Sequence, residues 1–259
     1  MATCTPNPPN KKRGDTPVFD ALLDLLAENK QMPQYAAERR LDLFINLFLE
    51  DILTARLGEK VSFVAPEFPL KVDSNNQSCK LDYLCVCDDT KRPIFVELKT
   101  DAMSFEDDQA RFYLRHAELW PACVERLKKI MRARMPFSYR VKYLHLVKSL
   151  VRAELVDVGV GEFGLADNQV ENLVAPRDKV RFSRAFLETL KNLSPCWPGA
   201  AQLVYLVPND KNLKTRIRAA CGRKALIIDF SEIGTIPASP GMKHRTEFRR
   251  LSRFLADLK

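Results

Sequence analysis

Residues 61–100 constrain this chain more than any other stretch. Three short apolar segments, "VSFVAPEFPLKV" (61–72), "CKLDYLCVC" (79–87) and "IFVELKT" (94–100), are separated only by the polar turns "DSNNQS" and "DDTKRP". Strand-like composition bounded by turn residues at this spacing predicts an antiparallel meander of three strands. Within the third strand, alternation sets Ile94, Val96 and Leu98 on one face and Phe95, Glu97 and Lys99 on the other. Two opposite charges on one strand face mark either a solvated surface or an active site, and the surrounding sequence has to separate these readings.

The meander is framed by helical patterns. "VFDALLDLLAENK" (18–30) and "QYAAERRLDLFINLFLEDILTARLG" (34–58) precede it, the second carrying an apolar stripe closed by Gly58. After it, Ser104 is the expected N-cap of a helix running to about Trp120, with Pro121 kinking or breaking it. Helices are expected over 122–134 and 178–193; 137–153 reads as helix or strand, the spacing of Val141, Leu144, Val147 and Val151 favouring helix, while 156–177 carries no clear pattern. Residues 201–208, 210–222 and 224–231 read as strand, helix and strand, and a basic helix over 244–258 ends the chain. The expectation is an α/β protein: a mixed central sheet flanked by helices, a late strand joining the meander, and a mainly helical insertion around 122–195. Residues 1–15 read as a flexible basic arm, and 16–259 as a single domain.

Charge adds a direction. Residues 1–99 hold 13 Lys/Arg against 15 Asp/Glu, whereas residues 100–259 hold 28 against 18. The densest stretch, 126–153, has nine basic and no acidic residues, with Phe137, Tyr139 and Tyr143 interleaved. That is the footprint of a polyanion-binding surface, and equally of a solvated basic face. The candidate phosphate contacts are Lys128, Lys129, Arg132, Arg134, Arg140 and Lys142. No apolar run is long enough to span a membrane, and the N-terminus lacks a signal-peptide core. With seven cysteines, an odd number, reduced thiols and a cytoplasmic setting are expected. Cys85 and Cys87 share a strand face as metal ligands would, but no second close pair follows, so buried apolar thiols are the better reading.

Glu-x-Lys alone says little, since a chain of this length contains about one by chance; Glu28 and Lys30 form another copy on a helix. Context separates them. Asp82 opens the second strand and Glu97 nears the end of the third, which makes them neighbours in a meander. Two adjacent carboxylates favour a cation between them, and a hard ion such as Mg2+ takes such ligands together with waters and substrate phosphate.

This constellation resembles the PD-(D/E)XK nuclease superfamily, whose signature is an Asp on the second core strand and Glu/Asp-x-Lys on the third, between two helices. The matching residues are Asp82, Glu97 and Lys99, with Leu81 standing where the family often has Pro. Gln109 and Tyr113, one helical turn apart on the following helix, resemble the Gln-x-x-x-Tyr motif of RecB-type nucleases. The resemblance implies a restriction endonuclease-like core and a phosphodiesterase that cleaves DNA with Mg2+ or Mn2+. It implies that Asp82, Glu97 and the Leu98 carbonyl hold the ion, that Lys99 positions the attacking water, and that Gln109 and Tyr113 support the site. Glu38 and Glu50 are candidates for a further acidic ligand; the run of the helix favours Glu38, and both also read as solvated charges. Cys79, Cys85 and Cys87 do not reproduce the iron–sulfur pattern of some relatives. No phosphate-cradling Gly-rich loop is present, so ATP-driven translocation would require a protein partner. A binding or interaction module that kept the fold and lost catalysis is the competing expectation.

Overall fold

The computed structural model describes residues 17–29, 37–71, 78–132, 137–157, 190–237, 242 and 244–257. Helices α1 (Val18–Asn29) and α2 (Ala37–Leu57) lead into the meander β1 (Val61–Lys71), β2 (Ser78–Cys87) and β3 (Pro93–Leu98). Three helices follow: α3 (Asp107–Glu118), α4 (Trp120–Arg132) and α5 (Phe137–Arg152). A two-residue ladder pairs β4 (Val156–Asp157) with β5 (Ser194–Pro195). Then come β6 (Gln202–Val207), α6 (Lys211–Cys221), β7 (Ala225–Asp229), the short α7 (Phe230–Thr235) and α8 (Arg245–Ala256).

The main sheet has five strands in the order β1-β2-β3-β6-β7. The β1–β2 and β2–β3 pairs are antiparallel, and β6 and β7 extend the sheet parallel to β3. The protein is therefore α/β with a mixed sheet flanked by helices, as expected, and two late strands rather than one join the meander.

β3 is central, and all six of its residues are buried. A strand covered on both faces reads as a nearly continuous apolar run, which accounts for its composition. Ile94, Val96 and Leu98 pack into a core with α1, α2, α7 and α8. Phe95 packs into a second core with α3, α4, α5 and α6, where its ring lies 6.0 Å from that of Trp120 and 6.1 Å from that of Phe68. β1 is an edge strand, and so accommodates Pro66 and Pro69, which lack the N–H an interior strand needs.

Three boundaries differ from expectation. Ser104 does not cap α3: its N–H and hydroxyl bond the Asp101 carboxylate and carbonyl, closing a turn before the helix starts at Asp107. The break expected at Pro121 falls at Leu119, and Pro121 sits in the first turn of α4, where a missing N–H costs nothing. β7 stops at Asp229 instead of continuing to Ser231, because the Asp229 carboxylate accepts the Glu232 N–H and starts α7. Most of the helix expected over 178–193, and the patternless stretch from 158 onward, lie outside the described residues.

Candidate active site at the end of the central strand

Glu97 and Lys99 are not on a wet face. Their residues are 2% and 4% exposed. β2 and β3 pair with Tyr83 opposite Val96, and one step further the register sets Asp82 against Glu97. There the ladder gives way to a side chain: the Leu98 N–H donates to Asp82 Oδ2 at 2.7 Å. On the other side of β3 the Lys99 N–H donates to the Leu206 carbonyl at 2.9 Å, so β6 fixes the lysine's backbone.

The Lys99 ammonium lies 2.8 Å from Glu97 Oε1 and donates to Gln109 Oε1 at 3.4 Å. Gln109 Nε2 donates to the Tyr113 hydroxyl at 2.9 Å, as the one-turn spacing requires, and lies 3.8 Å from the Cys79 sulfur. The Tyr113 hydroxyl donates to the Lys80 carbonyl at 2.7 Å and has Glu97 Oε1 at 3.3 Å. One proton cannot serve both acceptors, and the shorter contact decides for Lys80. Burial, together with the Glu97 charge, pushes the Tyr113 phenol well above its ordinary pKa and keeps it a neutral donor. Asp82, Glu97, Lys99, Gln109 and Tyr113 thus form one connected cluster between β2, β3 and α3.

Asp82, Glu97 and the Leu98 carbonyl offer oxygen ligands only, which suits a hard cation that keeps several waters. Among the described residues no group of three or more His, Cys, Asp or Glu side chains could hold a metal ion. Cys85 and Cys87 face the α1–α2 core, away from this cluster. Burial raises both thiols, consistent with apolar packing.

The acidic candidates on α2 separate by position. Glu50 Oε1 accepts the Phe63 N–H at 2.7 Å near the start of β1, far along the strand from Asp82. Glu38 belongs to the other end of α2, but its side chain lies outside the described residues. One turn after it, Asp42 accepts the hydroxyl of Tyr83, the residue next to Asp82. Sequence reading passed over Asp42, since nothing in an amphipathic stripe marks which carboxylate meets a tyrosine on a distant strand.

Arg216 was also missed. From α6 it donates to the carbonyls of Ala102 and Phe105, both at 3.0 Å, and to Asp107 Oδ2 at 2.9 Å, with its guanidinium 5.1 Å from the centre of the Phe105 ring. It thereby clamps the loop that joins Lys99 to Gln109, and it holds the Asp107 carboxyl below the usual range.

The basic candidates divide. Lys128 is a correction: it is buried, donating to Glu125 Oε1 at 2.7 Å and to the Lys191 carbonyl at 3.3 Å, so its charge is used internally. Lys129 and Lys142 are exposed. Arg134 and the side chains of Arg132 and Arg140 lie outside the described residues. The basic helix α8 packs on the α1–α2 face, opposite the cluster, and so does not flank it. No described helix is long and apolar enough to cross a membrane. Neither protein-family models, nor curated proteins, nor solved structures give a match to this chain.

Proposed function

We propose that this protein is a metal-dependent phosphodiesterase that cleaves DNA, built on a core of the restriction endonuclease-like kind. The observation that carries this reading is the buried Glu97–Lys99 pair, converging with Asp82 and tied to Gln109 and Tyr113 on α3. A buried ion pair is a poor way to stabilise a fold, because desolvation offsets its attraction. Its retention beside a second carboxylate is better explained by chemistry.

Asp82 and Glu97, with the Leu98 carbonyl, would hold Mg2+ or Mn2+, which when bound supplies Lewis acidity toward a phosphate oxygen. Lys99 positions the attacking water and sets its positive charge against the negative charge developing on the phosphate. Glu97 keeps that ammonium in place, and Gln109 fixes it from the α3 side. Tyr113, neutral and bonded to the β2 backbone, holds Gln109 in turn. Of the basic residues singled out in the sequence, the exposed Lys129 and Lys142 would make the phosphate contacts.

One observation favours a second reading, a nucleic-acid-binding module without catalysis. Each carboxylate already spends an oxygen internally, Asp82 on the Leu98 N–H and Glu97 on Lys99. Supercoiled, linear and single-stranded DNA incubated with Mg2+, Mn2+ or EDTA will decide. Metal-dependent cutting by the wild type that is lost in both Glu97→Ala and Lys99→Ala is the expected result. Salt-sensitive binding without cutting would move the conclusion to the binding module.

A further inference from the structure

We propose that the groove between the edge strand β1 and helix α5 seats an unpaired base of a single-stranded nucleic acid, next to the reacting phosphate. The inference rests on reading the Asp82–Glu97–Lys99 cluster as a nuclease site, and it adds the substrate class.

The groove encloses about 410 Å3, ample for a nucleotide. Val64, Ala65, Pro66 and Pro69 form its β1 wall, and Tyr143 and Leu146 its α5 wall. Lys80, Lys142 and His145 stand around it, and Glu67, the one acidic side chain among the described lining residues, is paired with Lys80 at 2.7 Å. An apolar slot with an aromatic wall and Lys142 at its rim matches a base with its phosphate.

The groove also adjoins the site. Pairing of Pro66 with Tyr83 and of Phe68 with Leu81 sets Glu67 across from Asp82. Lys80, whose side chain lines the groove, gives its carbonyl to Tyr113. Both strands lose their alternation at this point: Ala65 and Phe68 on β1, and Leu81 and Leu84 on β2, all face the α3–α5 core. Glu67 itself has φ 48°, a left-handed backbone rare outside glycine. Irregularities of this kind beside active sites re-aim side chains.

Other occupants fit less well. A peptide adding to the β1 edge needs strand N–H groups, which Pro66 and Pro69 lack and which the left-handed backbone at Glu67 misdirects. A base inside a duplex keeps both faces stacked and reaches a slot only by flipping out.

The test is fluorescence anisotropy of the full chain in EDTA with labelled single-stranded DNA, single-stranded RNA and duplex DNA, each of about 15 nucleotides. The expected result is tighter binding of a single strand than of the duplex. Leu146→Trp, which fills the slot, and Tyr143→Ala should each weaken single-strand binding about tenfold and duplex binding by no more than about twofold. Tyr143→Phe should bind as the wild type does. Lys142→Gln, a surface change that leaves packing alone, should reduce the salt slope by about one. The proposal is overturned if well-folded Leu146→Trp and Tyr143→Ala bind single strands as tightly as wild type, or if the wild type prefers duplex or binds neither. Metal-dependent cutting with unaffected groove variants would sink the base seat alone. Groove-dependent binding with no cutting would sink the nuclease reading alone. The DNA and RNA arms decide which sugar the seat accepts.

Discussion

Two lysine–carboxylate pairs lie at the same end of the sheet, where the parallel strands β3 and β7 finish, and they differ in what they accomplish. At the end of β7, Lys214 Nζ is 3.0 Å from Asp229 Oδ2, and Asp229 also accepts the Ser231 hydroxyl and the Glu232 N–H. That carboxylate ends a strand, starts a helix and receives an ammonium, so a local structural task accounts for it completely. At the end of β3, Lys99 and Glu97 are buried more deeply, their side chains 6% and 3% exposed. Their side chains meet Gln109 and Tyr113 on α3. The β7 pair is thus explained by its helix start, whereas the β3 pair, buried beside Asp82, is the one the proposed function uses.

The strongest way to break this comparison is to remove charge from the β3 pair. Breaking a buried pair leaves one uncompensated charge and costs about 3–5 kcal/mol. Glu97→Leu and Lys99→Met are each expected to lose stability on that scale in urea unfolding, and cleavage should drop by at least about 10²-fold. The double variant Glu97→Leu/Lys99→Met should regain most of the stability, since an apolar pair of similar volume often replaces a buried ion pair without loss. It should regain no activity. A double variant that still cut DNA would show that the two pairs are of one kind, both structural.

The same operation at β7 should give the reverse pattern. Asp229→Ala removes a helix cap and leaves Lys214 with Asn209 alone, so a loss of about 1–2 kcal/mol is expected. Asn caps a helix nearly as well as Asp, and Asp229→Asn should therefore lose less, keeping the cap and forfeiting the ion pair. Cleavage per folded molecule should be unchanged in both variants. A specific loss of cleavage in Asp229→Asn, at wild-type folded fraction, would place the β7 end in the reaction as well.

How much of this was readable beforehand depends on the range of the interaction. The meander, the strand–helix–strand unit of β6, α6 and β7, and the approach of Asp82 to Glu97 follow from period and turn chemistry, which are local. Gln109 and Tyr113 were placed together by helical spacing, and they do touch. Burial of the Glu97–Lys99 pair was not decidable, because a solvated strand face carries the same residues; it took α3 covering the face to settle it. Arg216 and Arg218 stand two residues apart on one basic helix, yet Arg216 organises the loop around Phe105 while Arg218 serves only its own helix end and the start of β7. Lys128 looked like a phosphate ligand because nothing in its neighbourhood announced that the Lys191 carbonyl, 63 residues on, would accept a hydrogen bond from its ammonium. Such long-range pairings leave no trace in spacing or composition.

The smallest effect sharpens the comparison through pH. Burial alone would raise the Asp229 carboxyl, but the Ser231 hydroxyl, the Lys214 ammonium and the Glu232 N–H outweigh it and hold the group below its usual range. A carboxyl depressed in the folded state binds its proton more readily once unfolded. Its stabilisation is therefore complete above the unfolded value of about 3.9 and drains away as pH falls through the lower folded value. Wild-type stability should accordingly fall more steeply below about pH 4 than that of Asp229→Asn, and the two urea midpoints should converge in acid. Parallel curves from pH 6 to pH 3, on the order of these bounds, would mean that the cap bonds hold Asp229 equally well in either protonation state. The β7 pair would then be reduced to a cap, its lysine incidental, and the contrast with β3 would rest on burial alone.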